Sequence, residues 1–118
     1  MLIEFTVANY RSFRDPALFS MVAANLKSRD EQLDKNNVFQ VEGQPALLTS
    51  AAIYGRNASG KSNLVRALQF MRQFVLESFD STEELGSIAV EPFRLSTETV
   101  DKPAHFEIIF VAEGTRYR

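Results

Sequence analysis

A strand–loop–helix pattern in the middle of the chain constrains the fold more than any other feature of the sequence. Residues 47–54 form a nearly continuous run of small and apolar residues, which is typical of a strand buried on both faces in a parallel sheet. The run ends at Gly55, and apolar residues then recur at helical spacing over residues 61–79. The pattern predicts an α/β fold, and 118 residues suffice for one domain.

The loop between this strand and this helix carries the strongest motif in the chain. The pattern G-x-x-x-x-G-K-S is filled at every fixed position by Gly55, Arg56, Asn57, Ala58, Ser59, Gly60, Lys61 and Ser62. Its glycines allow a tight turn with inward-pointing N–H groups, and the helix N-terminus adds the positive end of its dipole. In this pattern Lys61 reaches the β- and γ-phosphates of a nucleotide, while the Ser62 hydroxyl takes one position on Mg²⁺. The sequence therefore predicts a nucleotide-phosphate site, with Asn63 beside it.

Alternation of apolar and polar residues predicts an antiparallel portion of the sheet outside the strand–loop–helix unit. The clearest case is the N-terminal segment, in which Ile3, Phe5 and Val7 alternate with less apolar residues. Glu113 and Gly114 predict a hairpin turn near the other end of the chain. Further strands are expected at residues 2–8, 17–24, 38–41, 105–111 and 115–118. The charged and polar residues 25–37 predict a mobile surface loop with room for a helical turn.

Composition excludes several classes of protein. The net charge of −2 provides no general attraction for nucleic acid or for an anionic membrane surface. The chain has no cysteine and a single histidine, so no metal site made wholly from protein groups is expected, and His105 is interpreted as a surface residue at the start of a strand. The N-terminus does not resemble a signal peptide, and no apolar run approaches the roughly 18 residues of a membrane span. We therefore expect a cytoplasmic protein that does not bind membranes.

Two motifs resemble those of a known group of ATPases. N-A-S-G-K-S-N-L at residues 57–64 resembles the N-G-S-G-K-S-N-L loop of SMC, RecF and other ABC-type heads, with Ala58 at a position where those families tolerate alanine. N-Y-R-S-F at residues 9–13 resembles the N-F-R-S-F opening of the same heads. That resemblance implies that Arg11 and Ser12 lie near the phosphates or base, with Phe13 packed close by. A polar turn with a buried phenylalanine is the alternative.

With P-F-R-L at residues 92–95 and F-E-I-I-F…G-T-R-Y at residues 106–117, the whole chain resembles the N-terminal region of bacterial AAA-type, OLD-like ATPases. The resemblance implies a partial P-loop NTPase, the N-lobe of an ABC-type head, with a mixed sheet and one long helix after the loop. It implies ATP and Mg²⁺ as ligands and a homodimer of heads in the full-length protein. It also implies an effector nuclease or DNA as a partner, and a role in phage defence or abortive infection.

Two motifs that an ATPase of this group needs are missing from the sequence. No apolar strand ends in Asp-Glu, because residues 108–113 carry alanine where the aspartate should stand, and no L-S-G-G-Q-like signature occurs. No catalytic residue is therefore identified. We predict that residues 1–118 form a single incomplete head that binds ATP and hydrolyses it only when downstream motifs complete it. Two alternatives remain, an SMC- or RecF-like DNA-repair head and a stand-alone nucleotide-binding module that does not hydrolyse ATP.

Overall fold

The computed structural model describes residues 1–26, 31–80 and 90–118. Strands and helices in this part of the chain follow the order β1 (Leu2–Ala8), β2 (Ala17–Ser20), α1 (Glu31–Asn37), β3 (Val38–Phe39), β4 (Leu47–Leu48), α2 (Lys61–Asp80), β5 (His105–Ala112) and β6 (Thr115–Tyr117). One sheet has four strands in the order β2-β1-β5-β6, and the other pairs β3 with β4. The α/β class, the antiparallel portion and the long helix after the loop agree with the sequence-based prediction.

Strand β1 confirms the alternation seen in the sequence. Ile3, Phe5 and Val7 are buried, whereas the intervening side chains of Leu2, Glu4 and Thr6 are half-buried. Successive side chains of a strand point to opposite faces, so the period of two places the three largest apolar groups on one face.

The hairpin between β5 and β6 also forms where the sequence predicts it. The two strands are antiparallel, with Ala112 opposite Thr115. The two connecting residues, Glu113 and Gly114, have φ angles of 50° and 75°. Positive φ at both positions is the geometry of the tight hairpin turn that matches the twist of its strands.

The chain divides into two compact units. The first consists of Met1–Phe5, Leu18–Ile53 and Glu107–Arg118. Its core is formed by buried aliphatic residues from separate parts of the chain, with three further apolar residues packed against them. These residues are Ile3, Leu47, Ile109 and Val111, with Val22, Phe39 and Val41.

The second unit consists of Thr6–Ala17 and Tyr54–Phe106, and it contains the predicted phosphate-binding loop. An aromatic cluster lies in this unit, where Phe70 of α2 lies 5.6 Å from Tyr10 and 5.0 Å from Phe106 between ring centroids. Ala67, one turn before Phe70, is completely buried. These contacts determine which face of α2 is buried, and therefore the direction in which the helix leaves the loop.

The prediction of a buried parallel strand at residues 47–54 is wrong both in the length of the strand and in its pairing. Only Leu47–Leu48 form a strand, and this strand is antiparallel to β3, with Val38 opposite Leu48. Residues 49–54 are exposed, including Ile53 at 44% and Tyr54 at 90%. An apolar run becomes a buried parallel strand only when neighbouring strands and covering helices are present, and no described residue forms a strand beside residues 49–54.

Two other segments differ from their predicted extent. Strand β2 ends at Ser20, although Val22 still forms an isolated bridge with Leu47. Within the segment expected to be a surface loop, Glu31–Asn37 are helical. The positive charge of Lys35 in the last turn interacts favourably with the negative end of the helix dipole. Residues 27–30 of that segment lie outside the described part of the chain, and its mobility stays a prediction.

Candidate nucleotide-phosphate site

The phosphate loop, Gly55–Ser62, has a backbone that closes on itself before the helix starts. The N–H of Ser59 donates to the carbonyl of Arg56 at 3.2 Å. Ala58 and Gly60 have φ angles of 62° and 91°, in the region that favours glycine. Alternation between ordinary and left-handed backbone turns successive N–H groups toward the same side, which is the geometry of an anion-binding nest.

Both fixed glycines of the motif are needed for steric reasons. A Cβ atom at Gly55 would lie 2.7 Å from the Ser59 hydroxyl oxygen, which is shorter than any normal contact. A Cβ atom at Gly60 would lie 3.1 Å from the hydroxyl oxygen of Ser12, in addition to the strain of its positive φ. Gly60 therefore serves two purposes, because it turns the loop and lets the N-terminal segment approach.

The side chain of Lys61 folds back across the loop. Its ammonium group donates to the carbonyl oxygens of Gly55 at 2.7 Å and Arg56 at 2.6 Å, and to the Ser59 hydroxyl at 3.4 Å. The positive charge is thereby held beside the backbone that would surround a phosphate. A lysine in this place acts as a point charge on the phosphate oxygens.

The start of α2 supplies the remaining donors. Within the described residues, the N–H groups of Lys61 and Ser62 donate to no protein acceptor, whereas those of Asn63 and Leu64 already bond to the Gly60 carbonyl at 2.9 and 3.1 Å. The first N–H groups of a helix attract anions. Residues 57–63 line a cavity of ≈ 390 Å³ around these donors, and Ser62 is exposed there. Donors, charge and open volume fit a phosphate chain.

The N-terminal turn, residues 9–13, lies directly beside the loop. Tyr10 and Phe13 exchange backbone hydrogen bonds of 3.0 and 2.8 Å, which leaves Arg11 and Ser12 at the tip. The Asn63 amide nitrogen donates to the Ser12 hydroxyl at 2.9 Å, and the Asn63 amide oxygen accepts from Arg66 at 3.2 Å. The structure therefore brings Ser12 to the loop, as the sequence motif implies.

Arg11 lies at the same tip but is engaged elsewhere. Its guanidinium forms an ion pair of 2.8 Å with Glu91 and a hydrogen bond of 3.2 Å with the Tyr10 hydroxyl. Its backbone N–H donates to the carbonyl of Glu91 at 2.9 Å, and its φ is 51°. A role for Arg11 and Ser12 in contacting the nucleotide stays a prediction.

Asn9 is a structural residue of this site that the sequence reasoning missed. Its side chain is buried, and its amide nitrogen donates to the carbonyls of Thr99 and Lys102 at 2.8 and 2.7 Å. Its amide oxygen accepts from the N–H of Phe93 at 3.1 Å. The only sequence signal was an asparagine at the end of a strand, where a φ of 48° suits this residue type.

Comparison with protein families gives a match that covers the phosphate loop. Residues 50–118, more than half of the chain, match the family described as "AAA domain, putative AbiEii toxin, Type IV TA system", where TA stands for toxin–antitoxin. The chain belongs to this family, and its phosphate loop is part of a nucleotide-binding, ATPase-type region. No curated protein and no solved structure gives a match. The matched region contains the phosphate loop, α2, β5 and β6, whereas β1 and the N-terminal turn precede it.

Two further properties bear on ligands. Among residues 1–26, 31–80 and 90–118, no group of three or more His, Asp or Glu side chains is placed to hold a metal ion. In the same residues, neither helix has the length and apolar character needed to cross a lipid bilayer.

Proposed function

We propose that the chain is the N-terminal part of an OLD-like ATPase head of the ABC and SMC group, and that its phosphate loop binds ATP with Mg²⁺. The observation that carries this proposal is the convergence of three features at one cavity. The Lys61 ammonium lies across the loop, the N–H groups of Lys61 and Ser62 are without protein acceptors among the described residues, and a side chain at either glycine would displace a neighbouring serine hydroxyl.

In this proposal the nucleotide phosphates replace the loop carbonyls as partners of the Lys61 ammonium. An ammonium–phosphate contact is a charge-assisted hydrogen bond and is stronger than the neutral carbonyl contact it replaces. The N–H groups of Lys61 and Ser62 then gain the acceptors that they lack within the protein. The exposed Ser62 hydroxyl would be the protein's ligand to Mg²⁺, and the ion would neutralise charge on the phosphates.

Hydrolysis requires a carboxylate that activates water, and we propose that downstream strand and signature motifs supply it in a homodimer of heads. The exposure of the apolar side chains of Ile53 and Tyr54 supports this view, because further elements of a complete head would cover them. We also propose that the head serves a toxin–antitoxin or abortive-infection system, in keeping with the description of its family, with a nuclease or DNA as partner.

The test is calorimetric titration of the 118-residue chain with Mg-ATP. Lys61→Ala should weaken binding at least about tenfold, because it removes a charge-assisted bond to the phosphates. Lys35→Ala is the matched control, since it removes the same charge from exposed helix α1. Equal affinity of the Lys61 variant and the original chain would overturn the site assignment.

A second measurement separates binding from turnover. Phosphate release from ATP by the 118-residue chain should not exceed that of the Lys61→Ala variant, since the chain is proposed to lack the water-activating carboxylate. Release that depends on Lys61 would instead make the chain a complete ATPase.

A further inference from the structure

A second basic cavity lies in the same compact unit as the phosphate loop. It has a volume of ≈ 370 Å³, and three arginines line it, Arg11, Arg66 and Arg94, together with the single carboxylate Glu91. We call it the arginine pocket. Asn63 lines both this pocket and the phosphate-loop cavity, so the two cavities adjoin at the first turn of α2.

The charges in the arginine pocket are not balanced. Glu91 pairs with Arg11 at 2.8 Å, but Arg66 and Arg94 have no ion-pair partner among the described residues. Within residues 1–26, 31–80 and 90–118, Arg66 donates to the neutral amide oxygen of Asn63. Like charges gathered in one concave site repel each other, and an anion placed between them removes that repulsion.

Arg11 is fixed in the pocket before any ligand arrives. Its side chain is only 27% exposed. The Arg11 Nε–H donates to the Tyr10 hydroxyl, and the Arg11 backbone N–H donates to the Glu91 carbonyl. Its φ of 51° is unfavourable for a residue with a side chain, and such backbone strain is concentrated at binding sites. The carboxylate of Glu91 is 54% exposed and can leave, whereas the guanidinium stays.

We propose that the arginine pocket binds a phosphate group that does not belong to the nucleotide in the phosphate loop. Guanidinium groups match phosphate oxygens with two parallel N–H donors, and arginine keeps its charge when it is partly buried. Glu91 acts as the competing anion on Arg11 and is displaced when the phosphate binds. The phosphate comes from a free inorganic ion or from the phosphodiester backbone of a nucleic acid, which offer the same chemistry.

This inference assigns Arg11 to a phosphate other than those of the nucleotide, in place of the nucleotide contact that the sequence motif implies, and arginine shifts caused by Mg-ADP alone would overturn it. NMR of the ¹⁵N-labelled 118-residue chain follows the arginine Nε–H signals together with the backbone N–H signals of Gly60 and Lys61. Inorganic phosphate and an eight-residue single-stranded thymidine oligonucleotide are added in turn, with and without Mg-ADP. We expect the signals of Arg11, Arg66 and Arg94 to shift in both conditions.

Shifts confined to the loop amides would overturn the proposal while leaving the phosphate loop intact. Absence of nucleotide-dependent shifts in Gly60 and Lys61, with the arginine shifts retained, would overturn the proposed function and leave the arginine pocket standing. Arginine shifts with inorganic phosphate alone identify a small anion as the ligand. Arginine shifts with the oligonucleotide, falling steeply with salt, identify a phosphodiester.

Matched variants test whether the site is specific. Arg66→Ala should weaken phosphate binding about tenfold, because it removes one charge-assisted contact. Arg72→Ala, which removes the same charge from an exposed position on the same helix, should change the affinity less than about twofold. Equal loss in both variants would show general attraction to positive charge and would overturn the proposal.

The competing role of Glu91 gives an effect of opposite sign. Glu91→Gln should tighten phosphate binding about threefold or more, since the amide no longer competes for Arg11. Glu98→Gln is the control, because Glu98 pairs with Arg14 at 3.6 Å, and neither residue lines the pocket. Weaker binding after Glu91→Gln would overturn the competing role of this carboxylate.

Discussion

The phosphate loop and the N-terminal turn lie in contact, yet they are stabilised by different kinds of interaction. Hydrogen bonds of the loop join residues that are at most six positions apart, as from Lys61 to Gly55, and its side chains are largely exposed. The turn has local backbone hydrogen bonds too, between Tyr10 and Phe13, but it is also anchored by the side chain of Asn9, a buried residue whose side-chain partners lie 84 to 94 positions away. Loop geometry thus depends on local contacts, whereas turn geometry depends on the folded unit as well.

The difference implies that ligand affinity and fold stability can be changed separately. Removal of an exposed loop side chain, as in Asn57→Ala, should have little effect on unfolding, because few buried contacts are lost. Substitutions that release the turn should lower the free energy of unfolding, because buried polar groups lose their partners. The following predictions test this difference and the backbone strain of the loop.

The largest effect is expected from Asn9→Ala. The change leaves the carbonyls of Thr99 and Lys102 and the N–H of Phe93 without their partner and places alanine at a φ of 48°. We expect a loss of about 3 kcal/mol in the free energy of unfolding, measured by urea titration. Asn57→Ala in the exposed loop should cost less than about 0.5 kcal/mol. Similar losses in both variants would contradict the distinction between the two regions.

Gly60→Ala tests the contact between loop and turn. The added Cβ combines a φ of 91° with a 3.1 Å approach to the Ser12 hydroxyl, and we expect a cost of about 2 kcal/mol in unfolding free energy. Gly43→Ala is the matched control, because Gly43 has a φ of 72° but no atom within 4 Å of the added Cβ. The control should cost about 1 kcal/mol, from backbone strain alone. Equal losses of unfolding free energy in the two variants would show that the close approach of Ser12 to Gly60 adds nothing to the backbone strain.

A double-mutant cycle on Ser12→Ala and Asn63→Ala measures the hydrogen bond that links the two regions. The bond is 2.9 Å long and exposed, so we expect a coupling free energy of about 0.5–1 kcal/mol in thermal unfolding. Because Arg66 also bonds to Asn63, an Arg66→Ala background shows how much of the coupling passes through that third side chain. Additive single changes would mean that the hydrogen bond contributes nothing to stability.

The smallest effect is expected from Ala58→Gly, which should stabilise the chain. Ala58 has a φ of 62°, a conformation that costs an alanine about 1 kcal/mol. Glycine removes this cost, but its greater entropy in the unfolded chain offsets part of the stabilisation. A net gain of about 0.5 kcal/mol should raise the melting temperature by a few degrees. Ala52→Gly, in the exposed segment before the loop, should lower it slightly. A lower melting temperature for the Ala58→Gly variant would contradict the inference that the backbone is strained at Ala58.

Features set by local sequence could be predicted without the structure. The fixed positions from Gly55 to Ser62, the alternation in β1 and the Glu113–Gly114 turn depend on neighbours within a few residues, and each takes the predicted form. Family membership rests on the same part of the chain as the loop.

Features set by distant partners could not be predicted. The apolar run at residues 47–54 predicted a strand but could not show which strands would pair with it. In the structure its pairing with β3 stops at Leu48. Asn9 gave only a weak signal because the partners of its side chain, within residues 93–103, lie near the other end of the sequence. Arg66 and Arg94 lie far from Arg11 in the sequence, and only the fold places all three at one cavity.

The exposed segment before the loop gives the protein an intrinsic optical probe. The chain has no tryptophan, so its three tyrosines dominate the ultraviolet emission. Tyr10 is buried and Tyr117, which stacks on Phe110, is 47% exposed, whereas Tyr54 is 90% exposed and immediately precedes Gly55. Emission from Tyr54 comes from the entrance of the phosphate loop, and collisional quenching by iodide would act more strongly on this ring than on the other two, so that movement of the loop can be followed without an attached dye.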